Sequence, residues 1–146
     1  SSISDGAAAV VLMGAETAAA NGIAALARVV AQATHSHEPE WFTTAPIGAI
    51  EKVLAKAGWN VADVDLFEIN EAFAVVAMAP IRELGIDHAK VNVNGGACAL
   101  GHPIGASGAR LVVTLVNALR SRGLRRGVAS LCIGGGEATA IAIELI

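Results

Sequence analysis

The sequence predicts an α/β layered fold, a mixed and mostly parallel sheet with helices on both faces. Three observations carry this expectation. Hydrophobic residues make up 54% of the 146 and charged residues 16%, which supplies one packed domain and argues against disorder. The apolar residues are mostly Ala, Val, Ile and Leu, with no Tyr and few aromatics, a profile that suits helices packed closely on a buried sheet. Short apolar runs also alternate with stretches of helical spacing, the pattern of strands joined by crossover helices.

Taken in order, residues 7–12 form an apolar run between Asp5-Gly6 and Gly14 and are expected to be a buried strand. A small-residue segment follows and ends at the turn Asn21-Gly22. Residues 23–33 contain a second strand, and the polar, Pro-punctuated residues 35–46 read as a loop. Ile47, Ile50, Val53, Leu54 and Ala57 lie at helical spacing, with Gly58 as the C-cap. Residues 64–69 are strand-like, 71–84 helical with Gly85 closing them, and 91–93 a short strand before a Gly-rich loop. Pro103 stands where a first helical residue would, and Ile104, Gly108, Leu111, Leu115 and Leu119 mark one face of a helix ending near Gly123. Residues 128–133 are a strand, Gly134-Gly135-Gly136 a turn, and 138–146 a last strand close enough to pair antiparallel.

Several function classes are disfavoured. Mean hydropathy is positive, yet the most apolar stretches fall short of the roughly 20 residues a bilayer span needs. No basic region precedes an apolar one at the start, so a signal peptide is not expected and a cytoplasmic location is. Net charge is −3, and the one basic cluster, Arg120, Arg122, Arg125 and Arg126, sits at a predicted helix end, where cations offset the macrodipole; nucleic acid is not an expected partner. Cys98 and Cys132 form neither a C-x-x-C pair nor a disulfide framework. His35 and His37, with Glu38 and Glu40, read as a solvated loop with no second ligand cluster, so no metal is expected. The chain opens at Ser1 directly into an apolar run and reads like the middle of a longer protein.

Three unusual segments each follow a predicted strand: Asn70-Glu71-Ala72-Phe73-Ala74, the Gly-rich run 94–103, and Cys132-Ile133-Gly134-Gly135-Gly136. Ligands of open α/β sheets bind at the carboxyl ends of strands, so Asn70, His102 and Cys132 are candidates for one shared site. His102 before a helix start would be kept neutral, either as a base and hydrogen-bond donor or simply as a helix cap. Cys132 is a nucleophile or proton carrier, or a buried core thiol. Asn70 taken alone suits an N-cap, and Glu71 suits the first turn of a helix without any further role. The glycines 101, 105 and 108 lack the pattern of a phosphate-binding loop and point to close helix packing.

Together these blocks resemble the thiolase family. The run 92–110, NVNGGACALGHPIGASGAR, matches a thiolase signature almost word for word, NEAFA at 70–74 a second block and CIGGG at 132–136 a third. Ser4-Asp5-Gly6 and the apolar run after it are similar to the segment that ends the family's amino-terminal domain. The resemblance implies a thiolase-like layered fold, with residues 1–24 a remnant of the amino-terminal domain and 25–146 the carboxy-terminal domain. It implies Claisen condensation of two acetyl-CoA to acetoacetyl-CoA plus CoA, and the reverse thiolysis. The nucleophilic cysteine would come from the missing amino-terminal half.

Within this chain, the resemblance makes His102 the activator of that nucleophile and, with a water held by Asn70, an oxyanion hole. Cys132 would be the acid/base thiol, its pKa lowered by a neighbouring histidine, and the Gly134 amide a donor in a second oxyanion hole. Ser1, Ala72 and Phe73 would line the pantetheine arm, and Phe42 the acyl pocket, in a stretch that departs from the usual family pattern. Coenzyme A is then substrate and product rather than a resident cofactor, and a homodimer or homotetramer is expected. A longer-chain 3-ketoacyl-CoA thiolase and a non-catalytic CoA- or partner-binding module are the competing readings. Intact Asn70, His102 and Cys132 favour an enzyme.

Overall fold

The computed structural model describes all of residues 1–146. After an irregular start, its elements are α1 (Ala15–Ala20), β1 (Ala27–Ser36), α2 (Ala45–Ala57), β2 (Leu66–Ile69), α3 (Ala74–Glu83), α4 (Ala97–Leu100), α5 (Ser107–Arg122), β3 (Arg126–Ile133) and β4 (Glu137–Leu145). The four strands form one sheet in the order β1-β4-β3-β2.

Helices cover both faces, as the composition implies. On one face Ile50, Val53 and Leu54 of α2 and Ala77 of α3 pack against Ala33, Phe67, Ile69, Val128, Ala138, Ala140 and Ala142. On the other, Leu111, Leu115, Ala118 and Leu119 of α5 pack against Leu66, Ala129 and Ile143. The strand residues alternate between the two clusters because successive side chains point to opposite faces. Alanine at 138, 140 and 142 lets α2 lie close on β4.

The sheet is mixed, but less parallel than expected. β1–β4 and β4–β3 are antiparallel; β2–β3 is parallel, and a parallel bridge joins Phe67 to Val91. The reason lies in the connections: three glycines make β3 and β4 a hairpin, and β1 enters beside β4 at the sheet's edge. β1 also runs on through His35, where a loop was expected, because its last residues complete the ladder with Ala138 and Glu137.

Other boundaries move for similar reasons. Residues 7–12 form no strand: within this chain they have no ladder partner, and Val10, Val11 and Leu12 are exposed. Helix α3 begins at Ala74 with Phe73 as N-cap, so Asn70 is not a cap. Helix α5 begins at Ser107 rather than Pro103, and the chain between them makes a single turn closed by Ala106 and Ser107 donating to the Pro103 carbonyl. Gly58 and Gly123 end α2 and α5 in the left-handed conformation, as a glycine C-cap should. Arg125 and Arg126 lie beyond α5; their side chains, with that of Arg28, surround Glu144 of β4. None of the helices is long and apolar enough to cross a membrane.

Leu115 is fully buried at the centre of the α5 face. Leu115→Ala is expected to lower unfolding free energy by about 2–5 kcal/mol, read from urea denaturation, because the cavity closes only partly. A loss under 1 kcal/mol would show that α5 is not held by this cluster.

Candidate active site

β2 and β3 run parallel with Ile69 opposite Ser130, so Asn70, just past the end of β2, and Cys132, in the last residues of β3, lie toward the same end of the sheet. Asn70 is held there by its backbone N–H, which donates to the Ser130 carbonyl at 2.9 Å, and it is buried although polar. The Gly-rich loop that follows Val91 returns to this end and delivers His102. Asn70 Nδ2 lies 3.4 Å from His102 Nε2, which joins two residues 32 positions apart.

The loops are fastened by side chains acting as backbone. Asn92 Oδ1 accepts from the Ile69 N–H and its Nδ2 donates to the Ile69 carbonyl, both at 2.8 Å, so this side chain extends the β2 ladder by one step. Asn92 has φ 48°, a left-handed conformation that asparagine tolerates better than most residues. Its Nδ2 also donates to Glu71 Oε1 at 2.9 Å, while Glu71 Oε2 accepts from the Cys98 N–H at 3.0 Å. Glu71 is therefore a clamp on the Gly-rich loop and not merely a helix-start anion. A Cβ at Gly96 would collide with its carboxyl group, which is why that loop position has no side chain. Cys98 contributes its amide here and its thiol is exposed. Gly105 and Gly108, expected to permit close packing, have no neighbour from elsewhere in the chain near where a Cβ would stand.

His102 is anchored on its other side by Ser107, whose Oγ lies 2.6 Å from Nδ1. Its backbone N–H donates to the Ser2 carbonyl at 2.8 Å, which draws the first residues of the chain alongside. Ser1 then meets Ala72, its Oγ donating to the Ala72 carbonyl at 2.8 Å. Phe42 and Phe73 meet edge to face, with ring centroids 6.2 Å apart. Of the residues singled out from sequence, the structure joins Asn70 to His102, Ser1 to Ala72 and Phe42 to Phe73. Cys132 and Gly134 share the same end of the sheet without a hydrogen bond to those groups. Gly134 is exposed on the β3–β4 hairpin, and its N–H makes no backbone bond. An open cleft of about 400 Å³ between residues 4–8 and 103–106 borders the His102 turn. A second hollow of about 280 Å³ is lined by Val61, Phe67, Ile86 and Lys90 and includes none of the site residues singled out from sequence.

Burial keeps the reactive groups uncharged. His102 is held below the ordinary imidazole range first by burial, with Arg110 acting in the same direction. The direction is the one expected, but its chief cause is desolvation and not a helix end, since α5 starts five residues later. The Cys132 thiol is pushed up by burial, partly offset by a backbone hydrogen bond; the expected lowering by a histidine is absent. Beneath the site Glu68, 1% exposed, pairs with Arg110 at 3.2 Å. Burial still outweighs the guanidinium and pushes the Glu68 carboxyl up to about 7. No group of three or more potential metal ligands is present.

Sequence reasoning missed Asn92, Ser107 and the Glu68–Arg110 pair. Ser107 had a readable signal, because it falls on the Leu111–Leu115 stripe of α5, where a polar residue needs a partner. The others depend on which loops meet.

Residues 23–145 match the family model described as the thiolase C-terminal domain. The chain is 53% identical over 144 residues to a probable acetyl-CoA acetyltransferase of Dictyostelium discoideum, covering 99% of this chain and 35% of that protein. Its structure aligns with the Bacillus anthracis acetyl-CoA acetyltransferase at a TM-score of 0.89 and 46% identity, over 92% of this chain and 34% of the other. Human mitochondrial 3-ketoacyl-CoA thiolase aligns at 0.88 and 42% identity, over 90% and 33%. The chain thus spans about a third of the length of the relatives it matches.

Because Glu68 keeps its proton to higher pH when folded, the folded state binds more protons between about 4.5 and 7. Unfolding free energy should therefore fall as pH rises through that window. Glu68→Gln, neutral throughout, should flatten the fall in urea titrations at pH 5 and 7.5; equal slopes for both proteins would remove Glu68 as its source.

Proposed function

The chain belongs to the thiolase family, and on that premise we propose that it supplies the acid/base and oxyanion-hole half of an acetyl-CoA C-acetyltransferase. The observation that carries this reading is the Asn70–His102 contact at the end of the sheet near which Cys132 closes β3. In this reading residues 1–24 belong with an amino-terminal domain and 25–146 form the carboxy-terminal one. The nucleophilic cysteine comes from a segment outside this chain, so Cys98 and Cys132 are free of that role.

In the first stage His102 Nε2 takes the proton of that cysteine, the thiolate attacks the acetyl-CoA carbonyl, and CoA leaves with the proton. The developing oxyanion is met by the Nε2–H of the protonated His102 and by a water held on Asn70. Asn70 Oδ1 is buried without a partner in the chain and offers that water an acceptor. In the second stage Cys132, as thiolate, removes a proton from the methyl group of the second acetyl-CoA. The carbanion attacks the enzyme-bound acetyl, acetoacetyl-CoA forms as the C–S bond to the enzyme breaks, and the expelled cysteine thiolate takes up the proton that Cys132 had removed. In this reading the Gly134 amide is a donor in the second oxyanion hole. Burial raises the Cys132 pKa, so its thiolate must be generated as the substrate binds, and a thiolate formed in a desolvated site is correspondingly basic.

Ser1, Ala72 and Phe73 line the path of the pantetheine arm, and coenzyme A is substrate and product. Phe42, which packs edge to face on Phe73, lines the acyl pocket in this reading. The working location is the cytoplasm, and the assembly a homodimer or homotetramer with the nucleophile-bearing half in each subunit.

Thiolysis of acetoacetyl-CoA by free CoA tests this reading. The chain alone should be inert and should become active when joined to a nucleophile-bearing thiolase amino-terminal segment. In that assembly His102→Ala and Cys132→Ala should each lower kcat by about 10²–10⁴-fold. Activity of the isolated chain, or full activity of either variant, would overturn the role assignment.

A further inference from the structure

We infer that Ser107 is the positioning residue that sets which nitrogen of His102 carries the proton, an inference that rests on the reading of His102 as the base. Ser107 opens α5 with no solvent exposure, and its Oγ has two polar neighbours, His102 Nδ1 at 2.6 Å and the Pro103 carbonyl at 3.0 Å. A serine hydroxyl has one proton to give. The Pro103 carbonyl can only accept, so the hydroxyl proton goes there, as is usual for serine bonding back one helical turn. Oγ is then an acceptor toward His102, and Nδ1 must hold the proton between them.

The other side of the ring agrees. Neutral imidazole carries one proton, so a protonated Nδ1 leaves Nε2 with its lone pair. Facing Nε2 is the donor nitrogen of Asn70 at 3.4 Å. The opposite tautomer would set an Nε2–H against the Asn70 amide hydrogens and pull the Ser107 hydroxyl off the carbonyl it now serves. A single chain of donors therefore runs from Asn70 through His102 and Ser107 to the backbone of Pro103. It leaves Nε2 in the state a general base requires.

When Nε2 takes a proton, Nδ1–H keeps its bond to Ser107, so the imidazolium is held without rotation of the ring. No charged group performs this task. Glu68 is paired to Arg110, and Arg110 itself disfavours the imidazolium. The ring is thus oriented by a neutral hydroxyl and not by a charged partner.

Two variants separate this role from packing. Ser107→Cys is close in volume but a poor acceptor, whereas Ser107→Thr keeps the hydroxyl. Nitrogen-15 NMR of histidine-labelled chain should show His102 protonated at Nδ1 in the unaltered protein and in Ser107→Thr. In Ser107→Cys it should show the Nε2–H form growing. In the assembly completed by a nucleophile-bearing segment, Ser107→Cys should lower kcat by about 10–100-fold with KM little changed, while Ser107→Thr retains most of it. A thermal unfolding curve for each variant identifies any that fails to fold; loss of Ser107→Thr leaves the Cys comparison decisive. An Nε2–H ring in the unaltered protein, or a Ser107→Cys protein with unchanged tautomer and kcat, overturns the inference. A tautomer that follows Ser107 in an assembly without thiolysis would uphold the Ser107–His102 link and sink the proposed reaction instead.

Discussion

Between β3 and the Val91 bridge, β2 buries all four of its residues, and its parallel pairing with β3 sets the height at which Asn70 leaves the sheet. Asp65 fixes the start of that pairing by accepting from the backbone N–H groups of Arg125 and Arg126 at 2.9 and 2.8 Å. Both faces of the strand are then covered, by Phe67 and Ile69 under α2 and α3 and by Leu66 under α5. A one-residue slip would exchange these faces and bring Glu68 into the larger apolar cluster. The register is therefore held by packing on two sides, and every group at the candidate site inherits its position from it.

Past the end of β2 regular pairing stops, and polar side chains take over from the backbone. Asn92 supplies both a donor and an acceptor to Ile69, and Glu71 spans from Asn92 to the start of α4. Such a network stabilises only when its members are satisfied, since an unpaired buried polar group costs about 1–3 kcal/mol. It gives the loops a rigidity that glycine-rich segments lack alone, and it positions His102 before any substrate arrives. Pre-set geometry of this kind is what proton transfer demands.

Low local polarity is the second consequence of the same layering. His102 is moved toward the neutral ring, Cys132 toward the thiol and Glu68 toward the protonated acid, each chiefly by burial. The resting site is consequently sparing in charge, with Arg110 balancing Glu68 below it. Charge would form there only as bonds change, where fixed dipoles are worth most.

From sequence alone, the layered α/β class, the α2 and α5 helices with their glycine caps, and the β3–β4 hairpin were legible, because each depends on local periodicity and turn chemistry. Asn70, His102 and Cys132 stood out as polar interruptions after apolar runs, and the three blocks around them carried the family resemblance. What only the tertiary structure decided was partnership. Residues 7–12 look like a strand but find no ladder within this chain, and Pro103 looks like a helix start but lies a turn before one. Asn92 and Glu71 gain their roles only when segments 21 to 27 residues apart close on one another, a matter of sheet order and register that no local pattern encodes.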